Sequence, residues 1–189
     1  MTVKLVSTDM ELDQIAALSL ANLATEISAE TKAREGFVTW VYTASVLREL
    51  HRIASSVVAM DGDVLAGYAL TLTADSEAVY PLMGDMLRRM HTVVYDGRPL
   101  SDYPCYIMGQ ICVAAPYRGQ GVVGQLYEGH RASFGGAYDL LVTEISRANP
   151  RSSKAHAKVG FEVVETFTGP VQDWDMVVWD WRTTKTNTR

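Results

Sequence analysis

Arg118 to Gly124 reads R-G-Q-G-V-V-G and gathers the glycines and positive charge from which an anion site can be built. Gly119, Gly121 and Gly124 spell G-x-G-x-x-G, the string with which dinucleotide-binding folds hold a pyrophosphate. Glu144 follows at about the offset of a ribose-binding carboxylate. The surroundings count against a dinucleotide. Ala114, Ala115, Pro116, Tyr117 and Arg118 separate the preceding strand from the glycines, where that fingerprint needs a direct turn. The loop also lies too late in 189 residues for a second mononucleotide half. A Walker loop fails because no Lys followed by Ser or Thr ends the run. What remains is a run of small residues ahead of a helix, whose unpaired N–H groups and positive dipole end favour a phosphate, with Arg118 adding a full charge. The competing interpretation is a glycine-rich turn carrying an exposed arginine.

Ile111-Cys112-Val113 ends the strand before this loop, and Asn149, Ser152, His156, Gly160 and Phe161 follow the next strand. These two linked motifs resemble the GNAT superfamily of acyltransferases. Its acetyl-CoA loop reads R/Q-x-x-G-x-G/A after a strand ending apolar-x-Val. Its later segment carries Asn, a small residue three on, an aromatic seven on, and Gly-Phe at eleven and twelve. The resemblance runs from about Cys105 to Phe167, while the N-terminal half agrees only in the order of its strands and helices. Val123 stands where Gly or Ala is usual, and His156 where Tyr is frequent.

The resemblance implies an N-acetyltransferase that moves an acetyl group from acetyl-CoA to a primary amine by direct transfer, releasing CoA and using no metal. Pantetheine would lie along Ile111, Cys112 and Val113 as an added strand, and Arg118, Gly119, Gln120, Gly121, Val122, Val123 and Gly124 would hold the pyrophosphate. Asn149 has two roles open to it: N-cap of the helix at Pro150, or donor to the pantetheine amides. Ser152 either contacts cofactor or solvates a helix end. His156, at the family's acid position, either protonates the leaving sulfur or packs between helix and sheet. Glu144 is placed to accept the amine proton, to bind a cationic acceptor, or to make a structural hydrogen bond. Gln110, polar in an apolar strand, shares a face with Cys112 and is a candidate to orient water or the acceptor; Trp40 is a candidate wall of the acceptor pocket. Cys112 has no adjacent base and reads as a small buried residue rather than a nucleophile. The acceptor is a small-molecule amine or a protein amino group. The alternative from another class is a non-catalytic acyl-CoA-binding regulatory module.

Several elements must position these residues. Val3 to Val6 reads as a strand, and Asp9 is placed to cap a helix with Leu12, Ile15 and Ala16 on its apolar face. Ala44 to Arg52 is a second helix; the stretch SAETKAREGF before it is polar and without period. Ser56–Met60 and Val64–Leu72 flank an Asp-Gly hairpin turn, and Met83–His91 is a short helix. The segment YDGRPLSDYP is read as an insertion able to face substrate. Cys105–Ala114 is a buried strand, followed by a helix from Gly121, a strand at Asp139–Ile145, a helix at Pro150–Val159, and strands at Phe161–Phe167 and Asp173–Arg182. The odd spacing of Cys105 and Cys112 predicts opposite faces of their strand.

Hydrophobic residues make up 48% and charged residues 21%, as in a globular chain. One α/β domain with mixed strand directions over residues 1–182 is expected, with a disordered tail at 183–189. By resemblance this is an α/β (α+β) fold with a mostly antiparallel central sheet of about seven strands, flanked by helices and splayed between strands 4 and 5. The 22 acidic and 17 basic residues, net charge −5, disfavour nucleic acid as a partner. No apolar run approaches a bilayer span and no signal-like N-terminus is present, so a cytoplasmic protein without membrane attachment is expected. A homodimer is compatible with the resemblance.

Overall fold

The computed structural model describes residues 1–182; the tail expected at residues 183–189 lies outside them. Strand β1 (Thr2–Leu5) leads to α1 (Asp9–Ala21), and Thr8 rather than Asp9 starts that helix. The Thr8 hydroxyl accepts from the Glu11 N–H at 3.3 Å while the Glu11 carboxylate accepts from the Thr8 N–H at 3.2 Å. This capping box leaves Asp9 inside the first turn, where its charge still meets the positive dipole end. Helix α2 (Ala29–Glu35), capped by Ser28, occupies the polar stretch that showed no helical period. None of its residues is buried, so no apolar stripe exists to betray it.

Helix α3 (Ala44–Ile53) precedes the hairpin of β2 (Val57–Asp61) and β3 (Val64–Leu72), turned through the expected Asp-Gly pair. Helix α4 (Gly84–Met90) then gives way to a two-stranded ribbon, β4 (Val94–Tyr95) and β5 (Arg98–Pro99). Asp96 and Gly97 turn the ribbon at positive φ, 46° and 85°. The insertion does not face the grooves described below. Tyr95 instead donates to Glu162 at 2.6 Å and to Asp180 at 3.2 Å, which ties the ribbon to the far end of the molecule.

Strand β6 (Cys105–Val113), helix α5 (Val122–Phe134), strand β7 (Leu140–Ser146), helix α6 (Pro150–Val159) and the hairpin of β8 (Glu162–Thr168) and β9 (Asp173–Asp180) complete the chain. The main sheet has seven strands in the order β1-β2-β3-β6-β7-β9-β8. All neighbours are antiparallel except β6 and β7, the fourth and fifth strands of this sheet, which run parallel. Their ladder holds only Cys105↔Leu140, Tyr106↔Leu141 and Ile107↔Val142, after which the strands part. The expected splay therefore opens at Met108 and Thr143, whose hydroxyl donates to the Met108 carbonyl at 2.8 Å.

A β-bulge sits at that fork. Ala69 pairs with Ile111 and Thr71 with Met108, so Leu70 faces both Gly109 and Gln110. The extra residue reverses the alternation, and Cys105 and Cys112 consequently pack toward the same core rather than onto opposite faces. Gly109 is required by close approach: a Cβ there would lie 2.5 Å from Leu72 Cδ1. Alternation elsewhere holds, with Val177, Trp179 and Trp181 of the last strand segment entering the core beneath α5, and Met176 and Val178 the opposite one.

Candidate active site

Two grooves meet at the fork. The first, about 590 Å³, runs from Ile111–Val113 past residues 117–124 to Asn149 and Ser152. Cys112 carbonyl oxygen lies toward β3, 2.9 Å from a Cβ placed on Gly67, so the alternating backbone groups of Ile111 and Val113 turn toward the gap. Gly119 and Gly121 have φ of 76° and 78°, and Cβ atoms built on Gly119, Gly121 or Gly124 would meet nothing within 4 Å. The loop thus needs glycine for its left-handed turns and leaves open space where side chains would stand. No side chain caps α5, whose first backbone bond is Gln125 N–H to the Gly121 carbonyl. The N–H groups of Val122, Val123 and Gly124 have no acceptor among the described residues and lie at the positive end of a 13-residue helix.

Arg118, expected to add its charge to the loop, lines the first groove and is also paired within the protein. Its guanidinium donates to the Val113 carbonyl at 3.1 Å, to Glu35 at 3.1 Å and to Asn22 Oδ1 at 2.6 Å. It therefore ties the loop to the ends of α1 and α2, and the exposed cations of the groove are Arg151 and Lys158 on α6, which sequence reasoning missed. Gln120 turns away and donates to the Pro116 carbonyl at 2.8 Å. Asn149 is buried and caps α6, accepting from Ser152 N–H at 3.2 Å, while its Nδ2 donates to the Phe37 carbonyl at 2.9 Å.

The second groove, about 830 Å³, contains Trp40, Gln110, Glu144 and Trp174 and the outer side of α4. Phe37, Val38, Ile111, Asn149 and Ser152 line both grooves and form their common wall. Glu144 is half-buried and makes no hydrogen bond or ion pair among the described residues. Burial pushes its carboxyl up to about 7, with Arg89 drawing it down and Asp85 and Glu165 raising it. That is the range of a general base at neutral pH.

His156 belongs to the core. Its Nδ1 donates to the Ser152 carbonyl at 2.8 Å and its Nε2 accepts from the Tyr127 hydroxyl at 2.6 Å. Burial lowers it to about 4, against the Ser152 backbone contact that raises it. A buried neutral imidazole whose one N–H is held by the Ser152 carbonyl and whose other nitrogen faces the Tyr127 hydroxyl is poorly placed to protonate a leaving group, so the acid role implied by resemblance does not fit; packing does. Gln110 is likewise committed: its Oε1 accepts from Ser19 at 2.8 Å and Tyr68 at 2.5 Å, and its Nε2 donates to the Trp40 carbonyl at 2.8 Å. It holds the Trp40 segment against β6 rather than presenting a free amide to a substrate. Burial pushes the Cys112 thiol up to about 11, as suits a packing residue. Trp40 stacks on Trp174 with centroids 6.2 Å apart and planes 8° from parallel. Its partner, with Phe167 and Met83, could not be recognised from sequence because their segments meet only in the folded chain.

No sequence-family model matches this chain, and no curated protein sequence matches it. Solved structures do. Ard1 from Thermoplasma volcanium superposes with a TM-score of 0.63 at 11% identity, covering 95% of this chain and 96% of that one. An acetyltransferase of the GNAT family from Streptococcus agalactiae gives 0.60 at 16% identity, covering 95% and 94%. The yncA protein of Salmonella typhimurium, solved with its cofactor acetyl-CoA, gives 0.57 at 14%, covering 95% and 92%. The chain has the GNAT N-acetyltransferase fold.

Proposed function

We propose that this protein is an acetyl-CoA-dependent N-acetyltransferase acting on a primary amine. The observation that carries the proposal is the meeting of the two grooves at the β6–β7 fork, an open glycine cradle on one side and the unpartnered Glu144 carboxyl on the other. The cradle fits the donor: the backbone N–H groups of residues 122–124 and the cations Arg151 and Lys158 suit its phosphates, and the backbone groups of Ile111 with the Val113 N–H suit its amide-bearing arm, the Val113 carbonyl being held by Arg118. When bound, acetyl-CoA supplies a thioester acyl carbon, so that an amide C–N bond replaces a C–S bond and CoA leaves as thiolate. Glu144 takes the proton that the amine nitrogen sheds as it becomes acylated. Ser152 provides the one hydroxyl in the common wall, 3.3 Å from His156 Nδ1, and is positioned to donate a hydrogen bond at the fork. A thiolate with a cysteine-like pKa near 8.5 leaves without obligatory protonation, so a buried His156 is no obstacle.

Thiol release from acetyl-CoA across a panel of amines tests the proposal, together with calorimetric titration of CoA. Release that depends on the amine and on Glu144 supports it. CoA binding without release for any amine points to the non-catalytic module, and absence of CoA binding overturns both.

A further inference from the structure

The second groove combines features that act together on an acceptor's chemistry. Trp40, 39% exposed, lies on Trp174 to give a flat aromatic wall, and Phe167 closes the same groove on the β8 side. The charged groups near Glu144 are Asp85, Arg88, Arg89 and Glu165. Both guanidiniums are committed. Arg89 lies 3.6 Å over the Phe167 ring and 3.4 Å from Glu165, and Arg88 pairs with Asp85. Arg88 and Arg89 each pair with another carboxylate, which leaves Glu144 as the member of this cluster without an ion-pair partner among the described residues.

A ligand bearing a carboxylate or phosphate beside its amine would find no uncommitted cation here, and a chain of several ammonium groups would leave most of its charges against apolar walls. An ammonium on an aromatic body satisfies both requirements: its charge lies toward Glu144 and its ring stacks on the tryptophan wall. The groove's volume suits a ligand of drug-like size.

We infer that the Trp40–Trp174 wall and Glu144 select an arylalkylamine, an aromatic primary amine lacking a carboxylate, a refinement that rests on the acyl-transfer proposal. Trp40 is then a specificity residue rather than a generic core aromatic.

The full-length protein is tested in two ways with tryptamine, phenethylamine, phenylalanine, spermidine and a short peptide with a free amino terminus. Thiol release from acetyl-CoA should give kcat/KM for the two arylalkylamines at least tenfold above the other three. Tryptophan fluorescence, read with phenethylamine and without donor, should show saturable quenching that Trp40→Phe weakens and Trp40→Ala abolishes. Trp40→Ala should raise KM for phenethylamine about tenfold, as for loss of a stacked aromatic, with KM for acetyl-CoA within twofold. Preference for phenylalanine, spermidine or the peptide overturns the inference while leaving acyl transfer intact. So does an equal change in both KM values, or quenching unaffected in Trp40→Phe and Trp40→Ala. If no amine releases thiol, acyl transfer fails, and the donor-free titration still decides whether the groove binds arylalkylamines.

Discussion

At the scale of single residues, the chemistry turns on which polar groups have already found partners. Glu144 and His156 are both displaced from their ordinary pKa by burial, in opposite senses, but only Glu144 keeps its atoms free. On the proposed function deprotonated Glu144 would be the base, so kcat/KM should rise with pH through about 7, and that limb should vanish in Glu144→Gln. The same variant should lower kcat about 10²-fold, the usual cost of losing a general base, with KM for acetyl-CoA little changed. His156→Gln should keep turnover within roughly tenfold of the parent, because removal of a true general acid costs about 10²-fold or more. A larger loss in a variant that still melts cooperatively would restore the acid role.

At the scale of elements, legibility followed distance along the chain. The glycine loop and the helix after it were readable because strand end, glycines, Asn149 and Gly160 are local signals whose meaning depends on near neighbours. Helix α2 escaped because it buries nothing, and the alternation of β6 failed at Gly109 because a bulge is set by packing against Leu72, not by the strand's own pattern. The partners of Arg118 and Gln110 were not legible for a related reason: Asn22, Glu35, Ser19 and Trp40 come from the first quarter of the chain. Arg118→Leu should therefore loosen α2 as well as the cradle, seen as faster amide exchange at the Lys32 and Gly36 N–H groups even without ligand. Gly121→Ala places a side chain at φ 78° and should cost about 1 kcal/mol in stability from left-handed strain, read by denaturant melts, in addition to weakening CoA.

At the scale of the molecule, two cores of apolar residues lie on opposite faces of one sheet, and a few buried titratable groups give stability its pH dependence. Burial lowers both His130 and His156 to about 4. The unfolded chain then binds more protons, so stability is full above pH ~6.5 and falls as pH drops toward 4, by at most about 3 kcal/mol per histidine. Glu144 acts with the opposite sign: its raised pKa favours the fold below the unfolded carboxyl range and loses that contribution as pH rises through about 7. Melting temperatures should accordingly decline from pH 6.5 to 4.5, and Glu144→Gln should melt higher than the parent at pH 8.

The short ladder between β6 and β7 makes the sheet two half-sheets joined at three residue pairs, β1-β2-β3-β6 on one side and β7-β9-β8 on the other. On the proposed function, a donor lying in the fork would act as a splint between those halves, supplying hydrogen bonds that the diverging strands withhold from each other, and catalytic occupancy and mechanical integrity would then be one variable. At a hundredfold excess over its dissociation constant such a ligand adds about 2.7 kcal/mol. Slowed exchange should extend beyond Ile111 and Val113 to the amides of Ile145 and Ser146 across the gap.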